Sequence, residues 1–215
     1  MKTLLHVGCG GKRKHQTTAA FNTPEWRELR LDIDASVLPD LTGSMTDMRA
    51  VPDASIDAIF SSHNIEHLYP HEVPVALAEF LRVLKPDGFA VITCPDLQSV
   101  AKHVAEDRLT EPLYQSPAGP IAAIDILYGF RPSMARGQHY MAHRCGFTRK
   151  LLAATLSQAG FAGVAALARP RFLDLWALAS KVALSEADLQ VLAEAHFPSA
   201  PATAVRDAKM PRVGI

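Results

Sequence analysis

The chain has 215 residues, of which 48% are hydrophobic, and its 22 lysines and arginines balance 22 aspartates and glutamates. A chain of this length buries one core well, so we expect a single domain over residues 1–197 and a flexible alanine- and proline-rich tail over 198–215. Balanced charge argues against a nucleic-acid or anionic-membrane partner, and no apolar run approaches the roughly 20 residues that cross a bilayer.

Short apolar runs alternate with crossover segments along the first half of the chain. Strands are predicted at 3–7, 29–33, 55–61 and 89–94, and a helix with one apolar stripe is predicted at 73–84. Strands that alternate with crossovers form a mostly parallel sheet. Ligands of such a sheet bind beyond the carboxyl ends of its strands.

The second half of the chain begins with an irregular stretch, 95–145, which four internal prolines interrupt. Only short helices are predicted in it, at 97–107 and 121–128. Long irregular segments in compact domains are typical of lids, so we expect an insertion or lid here.

Regular patterns return after this stretch. Thr148 is a suitable N-cap for a helix that ends before Gly160, and Ser185 opens a helix that runs to about His196. Two strand-like runs, 162–168 and 172–179, lie between these helices and complete the sheet.

The first strand runs directly into Gly8-Cys9-Gly10-Gly11, and Asp32 follows about 20 residues later at the end of the second strand. Glycines let a backbone approach a ligand closely, and a carboxylate at the neighbouring strand end can accept hydrogen bonds from a ribose diol. The dinucleotide form of this motif has a third glycine where this chain has Arg13, which disfavours NAD and FAD.

Five segments in order resemble the class I S-adenosylmethionine-dependent methyltransferases, in particular the small-molecule type. They are LLHVGCGGK, LRLDID, VPDASIDAIFSSHNIEHL, LAEFLRVLKPDGFAVITCPD and GFTRKLLAATLSQAGF. The resemblance covers residues 3–97 in order and 139–180 more loosely. Together with the predicted elements it implies an α/β fold, a Rossmann-like doubly wound, mostly parallel seven-stranded sheet with helices on both faces.

The resemblance also implies S-adenosyl-L-methionine as cofactor. The glycine loop would pass under its methionine part, and Asp32 would bind its ribose, with Asp34 as the competing acid. The family often has an acid at the position of Ser44, so adenine contacts here would fall to backbone groups, to Met45 and Thr46, or to Asp47. The candidate cofactor-binding residues are Val7, Gly8, Cys9, Gly10, Asp32, Ile33, Met45, Thr46, Ser62 and His63.

The run His63-Asn64-Ile65-Glu66-His67 also fits H-x-x-E-H, a metallopeptidase pattern in which two histidines bind zinc. Such a site needs a long helix and a distant third ligand, whereas this run directly follows a predicted strand. We therefore expect no metal ligands here, and a zinc hydrolase that uses His63, Glu66 and His67 is the less favoured alternative.

An oxygen or nitrogen acceptor must lose a proton during methyl transfer, and histidine is the natural base near neutral pH. The candidate catalytic residues are His63, His67, His139 and His143. The last two belong to a cluster with Tyr140 and Arg144, where the resemblance places the acceptor pocket. A structural role in hydrogen bonding the loop to the core is the alternative for each member.

The predicted function is therefore methyl transfer to a small-molecule acceptor whose identity the sequence does not give. A non-catalytic module that binds S-adenosylmethionine or S-adenosylhomocysteine is the competing class. Three widely spaced cysteines suit reduced thiols, so we expect a cytoplasmic protein, and assembly into homo-oligomers stays open.

Overall fold

The computed structural model describes residues 1–198. The predicted flexible tail therefore lies outside the described residues, except for Pro198. The strands are β1 (Lys2–Val7), β2 (Trp26–Asp32), β3 (Leu41–Thr42), β4 (Ile56–Ser62), β5 (Leu84–Pro95), β6 (Pro112–Ser116), β7 (Gly119–Ala122), β8 (Gly163–Arg169) and β9 (Asp174–Ser180). The helices are α1 (Val73–Val83), α2 (Leu97–Ala105), α3 (Ala123–Tyr128), α4 (Arg131–Ala135), α5 (Arg149–Ala159) and α6 (Glu186–His196).

Seven strands form the main sheet in the order β3-β2-β1-β4-β5-β9-β8. All neighbours are parallel except β9, which pairs antiparallel with both β5 and β8. The strand order reverses between β1 and β4, so the carboxyl ends of these two strands flank the crevice where ligands of open α/β sheets bind. The predicted fold class is confirmed.

Both faces of the sheet are covered, because successive side chains of a strand point to opposite sides. In β1, Leu5 belongs to the cluster that includes Leu77 of α1 and Leu152 of α5. Leu4 belongs to the opposite cluster, with Phe21 and with Ala193 of α6. The central strands are thus buried on both sides, as their continuous apolar sequences require.

Both predicted helix caps are present. The Thr148 hydroxyl accepts the amide of Leu151 at 3.3 Å, and the Ser185 hydroxyl accepts that of Asp188 at 3.1 Å. Gly160 ends α5 in the left-handed region, at φ +112°.

The structure differs from the sequence-based boundaries where short or irregular strands occur. β5 starts at Leu84 rather than at Phe89, and a shift in its register against β4 accommodates the turn-like residues 85–88. The two-residue strand β3 and the hairpin β6–β7 were not predicted. The hairpin lies within the irregular stretch, between two short helices close to their predicted positions.

Only two short 3-10 turns, Lys14–Gln16 and Ala19–Phe21, lie between β1 and β2, where this fold class normally has a helix.

Within residues 1–198, no helix has the length and apolar character needed to cross a membrane.

His196 is buried between aromatic rings in the folded protein. We expect its contribution to the free energy of unfolding to depend on pH. Burial lowers the pKa of His196 from 6.5 to about 4, and its Nδ1 lies 2.8 Å from the Thr18 hydroxyl. Because the pKa of His196 is lower in the folded state than in the unfolded state, its full contribution to the free energy of unfolding is present above pH 6.5. This contribution falls as the pH drops towards 4. The loss approaches about 2–3 kcal/mol.

Chemical denaturation from pH 7 to 4 should show this loss, and it should shrink in His196→Gln, which keeps a partner for Thr18. An identical slope in the variant would assign the acid sensitivity to other groups.

Candidate active site

The glycine loop after β1 holds two residues in the left-handed region, Gly8 at φ +61° and Gly10 at φ +51°. A Cβ on Gly8 would lie 1.9 Å from Oδ1 of Asn64, whereas a Cβ on Gly10 would have no heavy atom within 4 Å. The amide of Asn64 donates to the carbonyl of Val7 at 3.0 Å. A Cβ on Gly8 would therefore clash with Asn64, whereas a Cβ on Gly10 would point into open space.

Asp32 fixes the loop to the end of β2. Its carboxylate accepts the amide of Gly10 at 2.7 Å and that of Asp34 at 2.9 Å, and its side chain is mostly buried. Asp34 instead accepts the hydroxyl of Tyr140 at 2.7 Å. The hydrogen bond from Ser36, followed by that from Tyr140, holds the pKa of Asp34 below its usual value.

Arg30 is a buried residue of this site that the sequence analysis missed. Its guanidinium donates to the carbonyls of Gly10, Leu38 and Lys12. The arginine thus ties the glycine loop to the turn after β2. Asn64 was missed as well. Both roles depend on backbone carbonyls brought close by the sheet, which no local sequence pattern reveals.

The loop borders a cavity of about 390 Å³ at the carboxyl ends of β1, β2 and β4, which we call the glycine-loop cavity. Seven of the ten candidate cofactor-binding residues line it: Val7, Gly8, Gly10, Asp32, Ile33, Met45 and His63. The other three do not. Cys9 is buried, Thr46 turns to a shallow depression beside Arg49, and the hydroxyl of Ser62 bonds that of Thr93 at 2.8 Å.

A second cavity of about 380 Å³ adjoins the first, and both are lined by His63 and Met141. The second cavity is lined by side chains of β7, α3 and the turn before β9, including Phe172 and Arg171, and by Phe130 between α3 and α4. Two chambers of similar size therefore meet at His63.

The four candidate catalytic histidines occupy different places. His63 lines both cavities and has the unusual backbone φ of +55°; His67 lines the glycine-loop cavity, and His143 lines the second cavity. Burial lowers the pKa of His143. His139 lines neither cavity, and its carbonyl accepts from Arg144 at 3.4 Å. The structure thus brings three of the four together.

The H-x-x-E-H run does not form the long helix that a metallopeptidase site needs, because residues Ile65–His67 make only one 3-10 turn. The buried Glu66 has His63, His67 and His143 around it. Burial opposes its ionisation, but these imidazoles hold its pKa below the usual value. One ligand atom from each of Glu66, His67 and His143 lies within 4.8 Å of the other two.

The cysteines are unsuited to nucleophilic roles. Burial raises the pKa of the Cys9 and Cys145 thiols to about 11, and it raises the pKa of the Cys94 thiol well above its usual value. All three are free thiols.

A larger groove of about 600 Å³ lies between β8 and α6, away from the carboxyl ends of β1, β2 and β4. Among residues 1–198, its lining has neither histidine nor cysteine, and its titratable side chains are Glu186 and Glu194. Within residues 1–198, the candidate catalytic histidines therefore lie outside this groove.

Comparison with known proteins agrees with a site at the carboxyl ends of the first strands. Residues 5–92 match the family model of a methyltransferase domain. No curated protein matches the chain in sequence. An S-adenosylmethionine-dependent methyltransferase from Archaeoglobus fulgidus is similar in structure, with TM-score 0.54 and 15% identity over 84% of this chain and 86% of that one.

Two further solved structures have the same fold. A possible histamine N-methyltransferase from Thermotoga maritima has TM-score 0.53 and 14% identity, over 85% of this chain and 83% of that one. A methyltransferase from Methanosarcina mazei has TM-score 0.52 and 17% identity, over 84% and 92%. At these identities the likeness shows the fold alone.

The family match spans the glycine loop, the acid-tipped second strand and the strands that follow, and the remaining elements complete the sheet that the neighbours share. The matched segment and the crevice coincide: residues 5–92 match a methyltransferase domain, and the chain shares its fold with the S-adenosylmethionine-dependent methyltransferases named above.

Proposed function

We propose that the chain transfers a methyl group from S-adenosylmethionine, bound in the glycine-loop cavity, to a small-molecule acceptor in the second cavity. The observation that carries this proposal is the junction of the two cavities at His63 and Met141. Methyl transfer needs the donor and the acceptor in adjacent pockets that open into each other, so that the reacting atoms approach in line.

The residues of the glycine-loop cavity fit this cofactor. Open space above Gly10 leaves room for the methionine part beside the backbone. Asp32 has acceptor capacity left for a ribose diol, since each of its oxygens takes only one amide hydrogen bond. Met45 and Gly43 line the far end, where the adenine would lie.

The second cavity fits a small acceptor that is partly apolar. Tyr114, Phe130 and Phe172 supply ring surfaces. Within residues 1–198, Arg171 has neither an ion-pair nor a hydrogen-bond partner, so its guanidinium is available to a polar or anionic group of the acceptor.

When bound, S-adenosylmethionine supplies a methyl group already activated on a sulfonium, so the protein has to align the partners and exclude water. An oxygen or nitrogen acceptor would lose a proton in such a transfer, so a base at the junction of the two cavities would have to take it. Of the candidate histidines, only His63 lines both cavities, and its side chain is half-exposed. We therefore assign it as the base that takes this proton.

The stretch 95–145 is the proposed cover of the acceptor side. The hydrogen bond from Tyr140 to Asp34 fastens its end to the cofactor rim, and the guanidinium of Arg144 donates to the carbonyl of His67 at 2.5 Å. Tyr114 and Ile121 of the hairpin line the second cavity.

The role of Asp32 is tested by its removal. Asp32→Ala should weaken the affinity for S-adenosylmethionine at least tenfold, because a charge-assisted hydrogen bond contributes about 1.5–3 kcal/mol. It should also lower the melting temperature, since the amides of Gly10 and Asp34 lose their acceptor. Calorimetry and thermal melts measure the two effects separately.

Asp34→Ala is the matched control. Its carboxylate is occupied by Tyr140, so we expect a smaller change in affinity. A larger loss in Asp34→Ala than in Asp32→Ala would move the ribose contact to Asp34.

The transfer itself is tested with labelled S-adenosylmethionine and a mixture of small metabolites. Labelled product from the parent, and none without an acceptor, would support an enzyme. Tight binding of both S-adenosylmethionine and S-adenosylhomocysteine with no transfer to any acceptor would favour the non-catalytic binding module.

A further inference from the structure

Glu66 is a buried acid with no hydrogen-bond partner. Its side chain is 1% exposed, and both carboxylate oxygens lack a partner within residues 1–198. His63 is the nearest donor: its Nδ1 lies 3.4 Å from Oε1, at ion-pair distance but outside hydrogen-bond geometry, and its side chain is 48% exposed. A buried charge left in this state is costly, so it calls for a cation beside it.

The hydrogen bonds of the two neighbouring histidines fix which of their nitrogens remain free. Nδ1 of His67 lies 3.2 Å from the carbonyl oxygen of Ala142, and Nδ1 of His143 lies 2.7 Å from that of Ile126. A carbonyl can only accept, so each Nδ1 carries the hydrogen and each neutral ring keeps a lone pair on Nε2. Metal-binding histidines are oriented by the same kind of carbonyl contact.

The cluster therefore brings together atoms with free lone pairs, namely the Glu66 oxygens and the Nε2 atoms of the two histidines, and within residues 1–198 no hydrogen-bond donor is paired with them. The rings of His67 and His143 lie edge to face with centroids 4.9 Å apart, and each ring places a nitrogen within 4.8 Å of a Glu66 oxygen. We propose that Glu66, His67 and His143 bind one divalent transition-metal cation.

The ligand set decides the class of ion. Two imidazoles and one carboxylate suit zinc or another first-row divalent ion such as cobalt, whereas magnesium and calcium prefer oxygen ligands alone. Metal–ligand bonds of about 2.0–2.1 Å place ligand atoms about 3.4 Å apart in a tetrahedron, so the three donors must draw together from their present spacing.

The site lies between the two cavities, since His67 lines the first and His143 the second. Three protein ligands leave coordination positions open on that side. If the proposed function holds, an acceptor oxygen bound there would be polarised for transfer. Metal binding itself does not depend on that function.

The test uses the full chain, freed of metal by a chelator and then titrated with Zn²⁺ by calorimetry and with Co²⁺ by absorption. We expect one ion per chain and a visible Co²⁺ spectrum of imidazole and carboxylate ligation. His143→Ala and Glu66→Gln should each weaken Zn²⁺ binding at least tenfold. His15→Ala, which removes an exposed histidine outside the cluster, should bind as the parent does.

Glu66→Gln separates this proposal from a purely structural role. Without metal the variant should be at least as stable as the parent, because it removes an unpaired buried charge. With Zn²⁺ the melting temperature of the parent should rise and that of the variant should not. Equal Zn²⁺ binding by parent and His143→Ala, or no binding by the parent, would overturn the proposal, and neither result would touch the assignment of methyl transfer.

Discussion

Gly10→Val should abolish the binding of S-adenosylmethionine, with an affinity loss of at least 100-fold, and leave a folded protein. A Cβ on Gly10 would have no heavy atom of a non-adjacent residue within 4 Å, so the new side chain enters the open space assigned to the cofactor. The left-handed backbone of Gly10 costs about 1–2 kcal/mol for any residue with a Cβ, which lowers the melting temperature without unfolding the domain.

Gly8→Ala should destabilise the folded protein, through a clash inside the protein rather than through the cofactor space. Its Cβ would displace Asn64 from the position in which that side chain bonds the carbonyl of Val7. We expect a loss of about 2–4 kcal/mol in the free energy of unfolding, from the left-handed backbone and the broken hydrogen bonds together.

Calorimetry with S-adenosylhomocysteine and denaturant melts distinguish the two glycines. The double variant Gly8→Ala, Asn64→Ala should recover part of the stability that Gly8→Ala loses, because the clash is gone. Unchanged affinity in Gly10→Val would show that the cofactor does not lie against this part of the loop.

The sequence predicted the parallel sheet well because its strands are buried on both faces and therefore read as continuous apolar runs. It did not predict β3 or the hairpin β6–β7, which are short, have few buried residues and, in the hairpin, contain prolines. Such strands are stabilised by pairing with a neighbour rather than by their own composition.

For the site, the position of the glycine loop and of Asp32 at strand ends was predictable from the apolar runs that precede them, and their contacts with a cofactor stay predictions. The cluster around Glu66 was only half predictable. The sequence placed Glu66 beside His67, but the third member, His143, is brought to them by the stretch 95–145. The backbone amides of Arg144 and Cys145 both donate to the carbonyl of Glu66, and this long-range contact leaves no periodic signal in the sequence.

The remaining prediction concerns His63, whose loss should slow methyl transfer about 100-fold, as is typical for a general base. His63→Asn is the variant of choice, because asparagine tolerates the left-handed backbone that His63 adopts at φ +55°. The dissociation constant for S-adenosylmethionine should change less than about threefold, since the loss affects proton transfer rather than cofactor binding.

A structural role of His63 would give a different pattern. If His63 only shapes the junction, His63→Asn should affect kcat and cofactor affinity together, and added imidazole should not restore activity. If it is the base, free imidazole should recover part of the rate, because the side chain is 48% exposed and leaves a space that solution can reach. His15→Ala should keep the parental rate under both conditions. A rate loss under about threefold in His63→Asn would show that His63 is not the general base. Another group at the junction of the two cavities would then have to take the proton.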